Sequence, residues 1–229
     1  MPVNENAKPQ PQNTMGVKTM VTLGMLTAMA YVVMLMSKMI PSVNGFLDFD
    51  FKDVVICIGG FTYGPMAAAM MSIVVAVIEL MMVSTTGLIG ILMNVLATCS
   101  FCCTASYVYK RRHTRNGAVE GLAAGVVCLV VVMLLWNYLI TPVYQGVPRE
   151  VVAAMLPTVF LPFNLVKGGM NMAATLLLYK PIVTALRKAG LVAPSRGGAK
   201  KSGSAGFLLF SLALLATFVT LALVLLDII

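Results

Sequence analysis

Charge is what this chain has least of. Only 10% of its 229 residues are Asp, Glu, Lys or Arg, against about 25% in ordinary soluble domains. Histidine and tryptophan occur once each. No GxxxxGK[ST] is present, so the chain has no P-loop for ATP, and HExxH and GxSxG are missing too. The apolar runs are continuous rather than alternating, which excludes an outer-membrane barrel. No internal repeat, inverted or parallel, is visible, and this counts against the repeat-built secondary carriers. The five cysteines offer little chemistry. Cys99, Cys102 and Cys103 share one apolar run, but a metal site wants four ligands with more Cys or His nearby, and His113 lies in a basic loop. The thiols read as small buried hydrophobes; no metal, cofactor or catalytic residue is expected.

Hydrophobic residues, by contrast, make up 59% of the chain, with 18 methionines. This composition specifies a polytopic helical membrane protein. A span needs about 20 mainly apolar residues. Candidate spans fall at 17–39, 65–83, 88–109, 118–140 and 158–186, with a shorter apolar segment at 54–62. Residues 141–150, TPVYQGVPRE, read as an exposed loop. A Gly/Ser/Lys linker over 190–206 precedes a last apolar run at 207–229. Residues 1–16 are polar and Pro/Gln-rich, a disordered cytoplasmic tail without a signal pattern.

The net charge of +8 is distributed by topology. Lys110, Arg111, Arg112, His113 and Arg115 form one cluster, and Arg187, Lys188, Arg196, Lys200 and Lys201 another. Aromatics do not interleave with them, which excludes a nucleic-acid surface. With the N-terminus in the cytoplasm, six spans place both clusters inside, as the positive-inside bias requires. Asp48, Asp50, Asp53, Glu79 and Glu150 then fall outside.

Two patterns invite chemistry. Asn164, Lys167 and Asn171 lie at i, i+3 and i+7, a polar stripe on one helix face. A lysine inside a membrane helix costs roughly 2.5–3.5 kcal/mol on insertion scales, so it needs a partner, a route to water or a function. If the preceding span is a neighbour, Asn137 joins Asn164 and Lys167 in one half of the bundle. Two amides and an ammonium suit a neutral heterocycle edged with carbonyl and N–H groups, or a carboxylate. Equally, the lysine can snorkel to headgroups while the amides hold helices together. The loop NGFLDFDFKD carries Phe46, Phe49 and Phe51, able to cover a flat ligand or to sit in the interface. Its acidic residues read as a solvated face. STTG at 84–87 brings backbone close at Gly87, and Gly24-x-x-x-Ala28 allows another helix to approach.

Taken together, LGMLTAMAYVVMLM (23–36), FLDFDFKDVVICIGGFTYGP (46–65), STTGLIG (84–90), WNYLITPVY (136–144) and LPFNLVKG (161–168) resemble the substrate-binding S components of energy-coupling factor (ECF) vitamin transporters. The riboflavin-specific ones are the most similar. The resemblance covers about residues 17–189. It implies an all-α, six-helix transmembrane S-component bundle that binds one vitamin in its outer half, with the first outer loop as a lid. It carries riboflavin contacts onto Asn137, Asn164 and Lys167, and with them Leu47, Phe49 and Gly87. It also implies docking of a coupling transmembrane protein on Gly24 and Ala28, with two ATPase subunits supplying the energy in a bacterial cell membrane. Two departures stand out: Lys52 sits where relatives commonly carry small residues, and 207–229 adds a seventh, C-terminal transmembrane helix. The competing readings are an S component for another vitamin or a flavin-related compound, a stand-alone channel and a membrane enzyme.

Overall fold

The protein is described by a computed structural model over residues 16–43, 45, 47–82, 87–192 and 204–226. The expectations for the tail at 1–15, Phe46, residues 84–86 and the linker at 193–203, with Lys8, Arg196, Lys200 and Lys201, lie outside the described residues.

Helix α1 (Val17–Ser37) leads through a loop to α2 (Lys52–Tyr63), which turns at Gly64 into α3 (Pro65–Met82). Then come α4 (Gly87–Arg112), α5 (Arg115–Gln145), a short α6 (Arg149–Met155), one π-helical turn at Leu156–Phe160, α7 (Leu161–Lys188) and α8 (Ser204–Leu225). Six segments are long and apolar enough to cross a membrane, α6 and α7 counting as one continuous segment from Arg149 to Lys188. Among the described residues the one β-type pairing is the Val43–Leu47 bridge inside the first loop.

Helix α2 organises the bundle. It packs against α1, α3, α4 and α7, and Lys52 through Phe61 are all buried. Twelve residues at 1.5 Å rise give about 18 Å, well short of a hydrocarbon core of about 30 Å. The loop at 38–51 fills the difference by folding back into the bundle. We call that end the lid end and the other the basic end, where Lys110–Arg112 close α4 and Arg187–Lys188 close α7.

The loop expected at 141–150 is shorter in the structure. Helix α5 continues through Pro142 to Gln145, and α6 begins at Arg149. Proline removes one backbone donor, but membrane helices tolerate it where neighbouring groups satisfy the freed carbonyl. Gly146 ends α5 at φ +66°, a left-handed conformation that glycine adopts without steric cost. Likewise, Pro157 lies within the π-helical turn and Pro162 just after it, where the ordinary i→i−4 ladder cannot run unbroken.

Helices α4 and α5 approach closely because Gly117, Gly121 and Gly125 repeat every fourth residue along one face of α5. A Cβ at Gly121 would stand 2.7 Å from the Ala105 carbonyl oxygen, and one at Gly125 2.6 Å from that of Phe101. Both obstacles are backbone, so neither can rotate away. Gly125→Ala is therefore expected to lower stability by about 1–3 kcal/mol through overpacking. Gly24→Ala on α1, where a Cβ meets nothing within 4 Å, should leave it unchanged. Thermal unfolding of the two variants in the same detergent checks the contrast.

Candidate functional site

The site is built where the loop at 38–51 meets α7. Leu47 and Phe49 are buried in an apolar cluster with Phe160, Phe163, Val166 and Met170. The Phe49 and Phe163 rings lie 5.1 Å apart, tilted by 39°. Polar contacts fasten the loop backbone over this cluster. Lys167 Nζ donates to the Asp48 carbonyl at 3.3 Å, and Asn171 Nδ2 donates to the Asp50 carbonyl at 3.0 Å. The same amide also reaches the Lys167 carbonyl at 3.1 Å, while Asn171 Oδ1 is buried without a hydrogen-bond partner. Lys167 further stands 5.9 Å from the Phe163 ring centroid, within range of a cation–π attraction.

Asn164 and Asn137 are both buried. Each donates to the carbonyl four residues earlier on its own helix: Asn164 to Phe160 at 2.7 Å and Asn137 to Met133 at 2.8 Å. Asn137 Oδ1 also accepts from Thr141. Helices α5 and α7 are neighbours, as the convergence of these residues requires. Gly87 is different in kind. It is exposed at the start of α4, a Cβ there meets nothing within 4 Å, and its φ of +61° accounts for glycine without a ligand. Gly24 and Ala28 are exposed on α1.

Sequence reasoning missed the ionic network beneath the loop. The acidic residues expected on a solvated face are divided: Asp48 is exposed, Asp50 half-buried and Asp53 buried, and Glu79 on α3 is buried with them. Lys52 is only 2% exposed and is paired with Asp50 and with Glu79, the latter at 3.5 Å. Glu79 also meets Lys38 at 3.0 Å and Asn94 at 3.1 Å. Asp53 accepts from Thr98 at 2.7 Å, and the Cys102 thiol donates to its carbonyl. Burial pushes the Asp50 carboxyl up, but Lys52 and then Lys167 more than offset this and hold it below the ordinary value. The physical reason for burial is the short α2, whose first turn lies inside the bundle, so its charges find partners there rather than in water. Glu79 within an otherwise apolar helix was the available signal, since ionisable residues in membrane segments mark functional regions.

A polytopic helical bundle with a loop strapped over a polar stripe has the build of a membrane substrate-binding subunit. The model of the ECF transporter substrate-specific component family matches residues 18–179, and this chain belongs to that family. The riboflavin transporter RibU of Staphylococcus aureus (strain TCH60) is 27% identical over 177 residues, covering 75% of this chain and 93% of that one. The riboflavin transporter FmnP of Bacillus subtilis (strain 168) is 28% identical over 163 residues, covering 67% and 86% respectively. A solved structure of the S component of a bacterial ECF transporter superposes with a TM-score of 0.63 at 28% identity, covering 74% of this chain and 98% of that one. The protein is thus a multi-pass substrate-binding membrane subunit.

The two lysines should behave differently when removed. Lys52→Ala leaves Asp50 and Glu79 without their buried cation and is expected to cost about 3–5 kcal/mol. Lys167→Ala removes one partly exposed hydrogen bond and should cost no more than about 1 kcal/mol. Unfolding midpoints in detergent, measured on both variants, test the order.

Proposed function

We propose that this subunit captures riboflavin at the lid end, from outside the cell, for uptake driven by partner subunits. The observation that carries the proposal is the face of α7 beneath the loop. Lys167 and Asn171 hold the loop there through the carbonyls of residues 48 and 50, and Asn164 lies about one turn away from Lys167. Flavin has a flat ring whose polar edge alternates carbonyl and N–H groups, together with a hydroxylated chain. The amides of Asn164 and Asn137 can both donate and accept, and Lys167 donates. Leu47 and Phe49 supply apolar cover for the ring.

Ligand entry then requires the loop to lift. Lys167 exchanges the Asp48 carbonyl for a ligand oxygen, and the amides exchange backbone carbonyls for flavin groups. These are swaps of one hydrogen bond for another, so the opening cost lies mainly in withdrawing Leu47 and Phe49 from their cluster. The buried Lys52 network stays in place as the loop's fixed root.

The basic end faces the cytoplasm in this reading, with the N-terminus on the same side, as the positive-inside rule favours. A coupling membrane protein docks on Gly24 and Ala28, where small exposed residues let a helix come close. Two ATPase subunits complete the assembly and supply the energy, since this chain carries no P-loop.

Purified without added ligand and then stripped, the protein should quench riboflavin fluorescence saturably. Asn164→Ala and Lys167→Ala should each weaken binding about 10- to 100-fold, one to two lost hydrogen bonds at roughly 1.4 kcal/mol per factor of ten. A folded, monodisperse protein that shows no quenching would sink the riboflavin assignment. The docking surface has its own test. Gly24→Leu/Ala28→Leu is expected to keep flavin binding while losing co-purification with the coupling protein; retained co-purification rejects that surface.

A further inference from the structure

The basic end contains a cavity of about 920 Å³ that the capture of substrate at the lid end does not use. Its walls come from the end of α4, the start of α5, the last half of α7 and the start of α8. Along α7 the lining runs from Thr175 to Lys188, about 20 Å at 1.5 Å per residue. Its two ends differ in chemistry. Arg187, Lys188, Arg115 and His113 cluster where the helices terminate, with Lys180 two turns in, whereas Leu176, Leu177 and Leu178 line the deeper part with Phe61, Ala118 and Phe207. None of the described lining residues is acidic.

We propose that this cleft is a binding site for an anionic phospholipid of the adjoining leaflet. The phosphate of the lipid sits among the cations, and an acyl chain lies along the leucines between α7 and α8. Each alternative ligand leaves part of the cleft unexplained. A free inorganic anion has no use for the apolar deeper part of the cleft, and a zwitterionic lipid has no use for a described lining that carries four cationic side chains and no acidic one. Basic pockets between membrane helices at the headgroup level select anionic headgroups on these grounds.

Helix α8 makes the site. It packs along α7, with the Phe218 ring occupying the notch above Gly169, 2.3 Å from where a Cβ would stand. Toward its start, Phe207 comes beneath the Arg115 guanidinium, 5.8 Å from the ring centroid, and Ser211 is buried beside α7. Most of α8 otherwise lies exposed on the outside of the bundle, where it faces lipid. A lipid wedged between α7 and α8 gives this exposed helix a second point of attachment. On one wall, Tyr109 and Tyr179 join hydroxyls at 3.0 Å, with Phe61 stacked on Tyr109 at 4.4 Å, so that side of the cleft is rigid.

The test is native mass spectrometry of the full chain, delipidated and then supplied with phosphatidylglycerol or phosphatidylcholine. Phosphatidylglycerol should give one adduct that survives activation, bound at least tenfold more tightly than phosphatidylcholine. Lys180→Gln/Arg187→Gln/Lys188→Gln should abolish this preference. Lys18→Gln/Lys110→Gln/Arg111→Gln, with equal charge lost at the same end but outside the cleft, should keep it. Thr184→Trp, which leaves every cation in place and fills the cleft, should also lose the adduct and covers the case in which the triple charge variant fails to fold. Equal binding of both lipids, equal loss in the two triple variants, or an adduct undisturbed by Thr184→Trp overturns the proposal. So does complete displacement of the lipid by millimolar inorganic phosphate, which would make it a site for free anions. None of these outcomes depends on which substrate the lid end binds.

Discussion

The structure at the lid end depends on one mismatch of length. Helix α2 is the most enclosed helix of the bundle, yet it has twelve residues where a span needs about twenty. The chain must cover the missing depth with a loop, and irregular backbone at membrane depth is tolerated only where protein groups satisfy it. Lys167 and Asn171 perform that task from α7 by donating to the carbonyls of Asp48 and Asp50. The loop's own Leu47 and Phe49 contribute apolar cover against Phe163. A segment held this way is ordered but separable, because a few side-chain hydrogen bonds hold it instead of a continuous backbone ladder. That is a suitable construction for a cover over a binding site.

The fixed and the movable parts of this region are separated by burial. Lys52, Asp53 and Glu79 are at most 7% exposed and are tied into α2, α3 and α4 through Thr98 and Asn94. Removing Lys52 leaves Asp50 and Glu79 without the buried cation they share, so the network strongly resists rearrangement. Lys167, in contrast, reaches its carbonyl from a partly exposed position. The root of the loop is electrostatic and rigid, while its contact with α7 can exchange.

Elsewhere the fold relies on close backbone approach, since lipid provides no hydrophobic drive to bring helices together. Helix α5 sets Gly121 and Gly125 against carbonyls of α4, and α7 sets Gly169 beneath Phe218 of α8. The first contact joins two long spans within the bundle. The second attaches a helix that otherwise faces lipid, and in doing so forms one wall of the cavity at the basic end.

Much of this architecture was legible in the chain itself. The long apolar segments, the short one at 54–62 and their membrane character followed from apolar run length, and the polar stripe on α7 from helical spacing, because both signals are local; the short α6 did not. Two readings were not recoverable in that way. Residues 141–150 read as an exposed loop, but the structure carries α5 through Pro142 to Gln145. Asp53 suggested a wet surface, but it is buried against a residue 45 positions further along the chain, and Glu79 is buried against one 15 positions further. Burial of a charge is a property of its neighbours, and those neighbours come from α2, α4 and the loop after α1. Apolar run length and the two basic clusters were enough to make this chain a bundle of membrane helices with an excess of positive charge at one end. Only tertiary packing decided that a twelve-residue helix lies at its centre, which polar groups meet beneath the loop, and where a cleft opens beside α8, since each depends on distances between segments far apart in the chain.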